Sequence, residues 1–335
     1  MKRLHRSFKL LIFSPLLLLL LFGGLNITIT AQQAESTAEQ MAAARRDEDS
    51  LVMNVTVTND KGDYIDGLDK TAFALFDNKV RQEITAFAGG DEPASIGIIF
   101  DLSGSMIHGK ALALARSAVL RFIELSHGDN DYFVVAFTTR PLVLFDWTRG
   151  SKNAIEKLDR YYFSDRNTKN ISLSTALYDA VYLGVEKVRG GAHAKQVLLL
   201  ISDGQDNESR YSFTEVRKRL KETGALLYSI GVLGGDQPGS SLGLEGQAIL
   251  DEFSAVSGGK AYFPQKNKEI AGFFERIAAE LRHQYVIGFK PSKEKADGRW
   301  HQLKIKVTPL LTATGKKQNL YARSREGYYA LKNLQ

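Results

Sequence analysis

Ala94-Ser-Ile-Gly-Ile-Ile-Phe100-Asp101-Leu-Ser103-Gly-Ser105 decides the fold of this chain. A run that is apolar on both faces reads as a strand buried between two layers. The polar residues that follow then form the loop leaving its carboxyl end. A carboxylate and two hydroxyls at alternate positions in that loop make a small set of hard oxygen ligands. Such oxygens suit Mg²⁺, Mn²⁺ or Ca²⁺ rather than thiophilic metals, and the pattern argues against a Cys or His nucleophile.

Working outward, apolar stretches at 132–137, 142–146, 196–201 and 225–232 repeat the first one. Helical patterns at 107–125, 151–160, 175–189, 212–222, 246–256 and 267–283 separate them. This alternation predicts an α/β fold, a doubly wound and mostly parallel sheet with helices on both faces. Thr138 to Pro141 is too short for a helical crossover, so 132–146 is predicted to be a hairpin that adds one antiparallel strand. Leu51 to Thr58 alternates like a half-buried strand, Asn59-Asp-Lys-Gly62 supplies a turn, and 73–76 and 80–87 continue as strands. After residue 283 the helices stop, and 285–289, 300–307 and 321–329 read as strands. Two β segments, 49–92 and 284–335, therefore flank an α/β unit at 93–283. The expectation is that the two pair into one small β-sandwich, with the α/β unit inserted between them.

The 335 residues are 44% hydrophobic and 24% charged and contain no Cys, which excludes a disulfide framework and thiolate metal sites. Lys2, Arg3, Arg6 and Lys9 precede the apolar run Leu10 to Leu25, a positive region followed by a hydrophobic one. Residues 1–31 thus read as a cleaved export signal or as an uncleaved N-terminal anchor, although the run is short for a bilayer span. The polar, Ala-rich stretch 32–48 reads as a linker. Four of the positive charges behind the formal +6 lie in the first nine residues, leaving a charge near +2 for the rest. Basicity here is targeting, not nucleic-acid recognition.

Ligands of doubly wound sheets bind at the carboxyl ends of the strands. Three loops meet that criterion: Asp101, Ser103 and Ser105; Ser174-Thr175-Ala-Leu-Tyr-Asp179; and Asp203-Gly204. Taken singly, each has a plain structural role, as a helix cap, a helix start and a turn. Taken together, they place two carboxylates and three hydroxyls on one edge, enough to share a cation whose shell water completes. A rival pattern overlaps them, since Gly104 to Ala111 nearly spells the phosphate loop GxxxxGK[ST]. Ala111 lacks the hydroxyl that loop needs on Mg²⁺, and the rival leaves Asp101, Ser103 and Thr175 without roles. No Gly-x-Ser-x-Gly elbow marks a serine hydrolase. The six His are scattered, without the close pair of a zinc site. Gly231 to Gly246 holds six Gly and reads as a mobile loop beside the metal edge, while Asp206 and Glu208 read as a solvated turn. The pairs Tyr161-Tyr162 and Tyr328-Tyr329 read as half-buried packing.

Asp101-x-Ser103-x-Ser105, then Thr175, then Asp203-Gly204 resembles the metal-ion-dependent adhesion site of von Willebrand factor type A domains. The likeness covers about residues 93–283. It implies that Ser103, Ser105 and Thr175 ligate Mg²⁺ (or Mn²⁺ or Ca²⁺) through hydroxyls, with Asp101 and Asp203 acting directly or through water. Leu173-Ser174 stands where many members carry Gly. The flanks Val55 to Gly62, Gly67 to Phe73 and Arg325 to Ala330 resemble bacterial, mainly acidobacterial, exported relatives of the family. The resemblance implies a non-enzymatic adhesion-type module, periplasmic, secreted or envelope-associated. Its metal would be completed by a carboxylate from a protein partner, with no nucleic acid and no membrane contact beyond an uncleaved N-terminal segment. Structural assembly of the cell envelope and, more remotely, a nucleotide-binding or hydrolytic enzyme are the other expectations.

Overall fold

The computed structural model describes residues 43–44, 47, 50–104, 111–160, 174–232, 241–291, 297–311 and 315–330. The chain opens with β1 (Leu51–Asn59), β2 (Phe73–Asp77), β3 (Val80–Gln82) and β4 (Ile84–Ala88). The α/β unit follows as β5 (Ala94–Asp101), α1 (Ala111–Leu125), β6 (Asp131–Phe137), β7 (Pro141–Arg149), α2 (Ser151–Arg160), α3 (Leu177–Val188), β8 (Lys195–Ser202), α4 (Phe213–Thr223), β9 (Leu226–Gly231), α5 (Ser241–Ser257), β10 (Lys260–Tyr262) and α6 (Ile270–Arg282). The chain closes with β11 (Tyr285–Phe289), β12 (Trp300–Val307), β13 (Leu310–Leu311), β14 (Lys317–Gln318), β15 (Leu320–Arg323) and β16 (Gly327–Tyr329).

The central sheet runs β10-β9-β8-β5-β6-β7, parallel except for β7, which turns back on β6 through Thr138–Arg140. Successive residues of its strands enter opposite cores. Ile96, Ile98 and Phe100 join α1, α2 and α6 on one face, with Phe122 and Phe274 at the centre. Ile99, Leu198 and Leu200 join α3, α4 and α5 on the other. Both faces of β5 are thus dry, as its apolar run Ile96 to Phe100 required. Each large side chain so buried contributes about 1.5–3 kcal/mol.

The two flanking β segments interleave. β1 pairs with β11 and β15, and β2 pairs with β12, so both four-stranded sheets, β15-β1-β11-β4 and β16-β12-β2-β3, draw strands from both ends of the chain. Val55, Leu75, Ile287 and Leu303 meet in the core between them. The α/β unit is inserted between β4 and β11. Lys195, fully buried, holds the two crossing segments: its Nζ donates to the carbonyls of Glu92 at 3.0 Å and Leu281 at 2.7 Å. Burial without a carboxylate in hydrogen-bond contact lowers this ammonium to about 8. A second joint is Glu280 of α6, which accepts from Tyr228 Oη (2.5 Å) and Thr56 Oγ1 (3.0 Å) and pairs with Arg323 of β15.

Several elements depart from the sequence reading. The stretch 80–87 is two strands in different sheets, β3 beside β2 and β4 beside β11. Likewise 321–329 breaks into β15 and β16, divided by Ser324–Glu326, where the buried Arg325 side chain donates to Gly327 O. A single alternating run hides such a corner, because period 2 continues through it. Residues 241–246 of the glycine-rich stretch belong to α5, not to a loop, while 233–240 lie outside the described residues. Tyr328 is buried with its hydroxyl donating to Asp77, whereas Tyr329 is exposed; Tyr161 and Tyr162 lie outside the described residues. The expected signal or anchor at 1–31 also lies outside them, and no described helix is long and apolar enough to cross a membrane.

Candidate metal centre

β5 ends on Asp101, whose register neighbour on β6 is Phe137; on the other side, Phe100 faces Ile201 of β8. That register brings Asp101 beside Ser202, and Ser202 Oγ donates to Asp101 Oδ2 at 2.6 Å. The other oxygen, Oδ1, accepts the Ser103 N–H at 2.9 Å, folding the loop back over the strand end. Leu102 N–H donates to Phe137 O at 2.8 Å, which anchors the same loop to β6. Asp101 is fully buried, and among the described residues no Lys, Arg or His is paired with it. Burial, followed by the charge of Asp203, raises its carboxyl from 3.8 to about 7, against the lowering pull of the Ser103 and Ser202 bonds.

The second and third loops are stapled to each other. Helix α3 has no cap from its own preceding residue. Its amides are instead satisfied from the segment after β8. Asn207 Oδ1 accepts from Thr175 N–H at 2.7 Å, Asp206 Oδ1 from Tyr178 N–H at 3.1 Å, and Ser209 Oγ from Asp179 N–H at 3.0 Å. The Thr175 carbonyl receives the N–H groups of Asn207 and Glu208 in return, and Ala176 N–H donates to Thr138 O at 2.7 Å. The Asp179 carboxylate, buried in the first turn, accepts from Arg210 N, Tyr211 N and Arg210 Nε. Asp206 is therefore a half-buried capping residue of a neighbouring helix, while Glu208 is exposed.

Asp203 itself is 4% exposed, with Oδ1 accepting from Gln205 N–H at 3.1 Å. Gly204 N–H donates to Ser202 Oγ at 3.0 Å, so one hydroxyl links the Asp101 and Asp203 loops. Gly204 has φ +85°, and a Cβ built there would lie 2.2 Å from Gly246 O; one built on Gly246 would lie 2.3 Å from Asp203 O. Helix α5 thus packs backbone to backbone on the Asp203 turn. Gly246→Ala is expected to weaken Mg²⁺ binding about 10–100-fold, as loss of an outer-shell support does. Calorimetric titration checks this, and an unchanged affinity would show that the turn tolerates the shift.

Four of the five ligands read from the sequence, Asp101, Ser103, Thr175 and Asp203, are buried on this one edge; Ser105 lies outside the described residues, as does His108. Ser202, Asn207 and Gly246 were not singled out by the sequence. Ser202 carried a signal, being a hydroxyl residue between an apolar strand and an Asp-Gly turn. Asn207 and Gly246 carried none, because their partners are distant in the chain. Among the described residues no three His, Cys, Asp or Glu side chains gather as a metal site. The donor set is instead two carboxylates with neutral hydroxyls. A buried carboxylate facing another, with no cationic side chain paired to it among the described residues, fits a hard divalent ion.

Residues 95–275 match the family model of the von Willebrand factor type A domain, which spans more than half of the chain. No curated protein matches the sequence. Among solved structures, proximal thread matrix protein 1 from the mussel byssus is 16% identical, with a TM-score of 0.49 over 62% of this chain and 51% of that one. The chain thus spans about half the length of the mussel protein, which has also been solved with a zinc-occupied MIDAS motif. A von Willebrand factor type A protein from Catenulispora acidiphila is 13% identical, with a TM-score of 0.46 over 85% of this chain and 76% of that one. BatB from Bacteroides thetaiotaomicron is 15% identical, with a TM-score of 0.42 over 56% and 98%.

Proposed function

The chain belongs to the von Willebrand factor type A family, and from that premise we propose that it is an exported, non-enzymatic module that binds a protein partner through a divalent cation. The observation that carries this reading is Asp101, a buried carboxylate set against Asp203 with no basic side chain paired to it among the described residues. Asp101, Ser103, Thr175 and Asp203 would hold the cation, with Ser105 completing the set by resemblance. When bound, Mg²⁺ or Mn²⁺ supplies positive charge between the two carboxylates and an open position for a partner's carboxylate.

The protein's own residues do the rest. Ser202 orients the Asp101 carboxylate and fixes the turn that presents Asp203. The Asn207, Asp206 and Ser209 bonds hold Thr175 at the head of α3. Hydroxyl ligands neutralise little charge, so an ion held by them stays electrophilic toward an anion from outside. Nothing in the described site pairs a nucleophile with a base, which supports binding over catalysis. The basic and apolar start of the chain, Lys2 to Leu25, supports export.

Titration of Mg²⁺ or Mn²⁺ tests the reading. One site is expected, lost in Asp101→Ala and weakened about 10–100-fold in Ser202→Ala, whose hydroxyl only orients a ligand. Absence of metal binding, or ATP binding that depends on Lys110, would overturn it.

A further inference from the structure

The α/β unit and the sandwich enclose a cleft of about 790 Å³ between them, within the size range of ligand sites. It shares no residue with the metal centre. Its charge is unbalanced. Lys61, Lys260, Arg276 and Arg323 line it against two carboxylates, Asp63 and Glu280. Both carboxylates are already engaged: Glu280 with Arg323, Tyr228 and Thr56, and Asp63 with the Asn59 side-chain amide at 3.0 Å. Among the described residues no carboxylate lies within ion-pair distance of Lys61, Lys260 or Arg276. Lys260 and Arg276 instead lie over the rings of Tyr262 and Phe273, at 5.3 and 5.8 Å from their centroids.

The three cations come from three elements: a loop after β1, the strand β10 and the helix α6. Cations set apart in this way match carboxylates spaced along a chain better than one small anion. The walls add main chain. β10 is the edge of the six-stranded sheet and β15 the edge of a sandwich sheet. Arg323 holds the two together by donating to the carbonyls of Gly258 and Gly259, just before β10. An edge strand offers unpaired N–H and C=O groups to a chain laid beside it.

We propose that this cleft is a second binding site, which takes an acidic peptide in extended form. The peptide's carboxylates meet Lys61, Lys260 and Arg276, and its main chain pairs with the open edge of β10. The site is independent of the metal centre, so it is tested on protein stripped of metal with EDTA and then dialysed free of the chelator, where a carboxylate cannot be captured by a bound metal ion. The probe is a blocked hexapeptide alternating Glu and Thr, titrated into the full chain by calorimetry. One saturable site is expected, weakened about tenfold or more by Lys260→Glu/Arg276→Glu. A rise from about 50 to about 300 mM salt should weaken it similarly. The same peptide with Lys for Glu should not bind. If the double variant fails to fold, Lys61→Glu, a change on an exposed loop, should still weaken binding severalfold. No saturable binding, an affinity indifferent to these reversals, or citrate binding as tightly as the peptide would overturn the proposal.

Discussion

In EDTA at about pH 8, Asp101→Asn is expected to raise the melting temperature by a few degrees and to abolish the stabilisation that Mg²⁺ gives the unsubstituted protein. The folded protein carries the Asp101 carboxyl at about 7, against 3.8 for an ordinary aspartate, chiefly through burial and then through Asp203. A folded-state value above the unfolded one means that the native protein holds a proton the unfolded chain has released. Stability without metal is therefore lost as pH rises from about 4 to about 7. At about 1.4 kcal/mol per tenfold step, the upper bound on that loss is roughly 4 kcal/mol. Asparagine keeps the volume and the oxygen that accepts from Ser103 N–H, and Ser202 Oγ can turn to accept from its amide. The charge alone is removed. Mg²⁺ at a hundredfold excess over its Kd would add about 2.7 kcal/mol to the parent and nothing to the variant. Thermal melts with and without Mg²⁺, at about pH 5 and about pH 8, check both halves. Mg²⁺ stabilising the variant as it does the parent would remove Asp101 from the ligand set. A lower melting temperature in EDTA would mean that the buried charge is balanced by a group other than a cation.

That opposition of stability and binding explains why this site was legible in the sequence. A carboxylate directly after a doubly buried strand is costly, and the apolar run Ile96 to Phe100 is itself the mark of that burial. The sheet was equally plain, because strands buried on both faces keep their apolar runs and helices between them keep their period. The supports of the site were hidden for a different reason. Asn207 caps a helix that begins 30 residues earlier, and Gly246 meets Asp203 from a helix on the far side of β9. Neither contact has a local pattern. Chain corners were hidden by continuity, since Val80 to Ala88 alternates through its change of sheet. The three-residue β10 was missed because its length falls below any usable period, although it forms one sheet edge and one wall of the basic cleft.

The second large effect lies at the joint between the two units, where Arg323→Met is expected to cost about 3–5 kcal/mol in denaturant unfolding. Glu280 is 3% exposed and sits at the meeting point of α6, β9, β1 and β15. With the guanidinium gone, its carboxylate is left with neutral donors, Tyr228, Thr56 and the Gln284 amide, and little exposure to water. Methionine retains the apolar stem, so the loss is of charge and of the bonds to Gly258 O and Gly259 O, not of bulk. The reverse change is milder. In Glu280→Gln the amide oxygen still accepts from Tyr228 and Thr56. The Arg323 side chain, 35% exposed, can turn its unpaired charge to solvent, so that change should cost about 1 kcal/mol. The double variant should then be more stable than Arg323→Met alone, because the second substitution removes the stranded charge created by the first. Urea unfolding of all four proteins measures the cycle. Equal costs for the two single changes, or simple additivity in the double, would show that the joint is held by packing and that the ion pair is incidental to it.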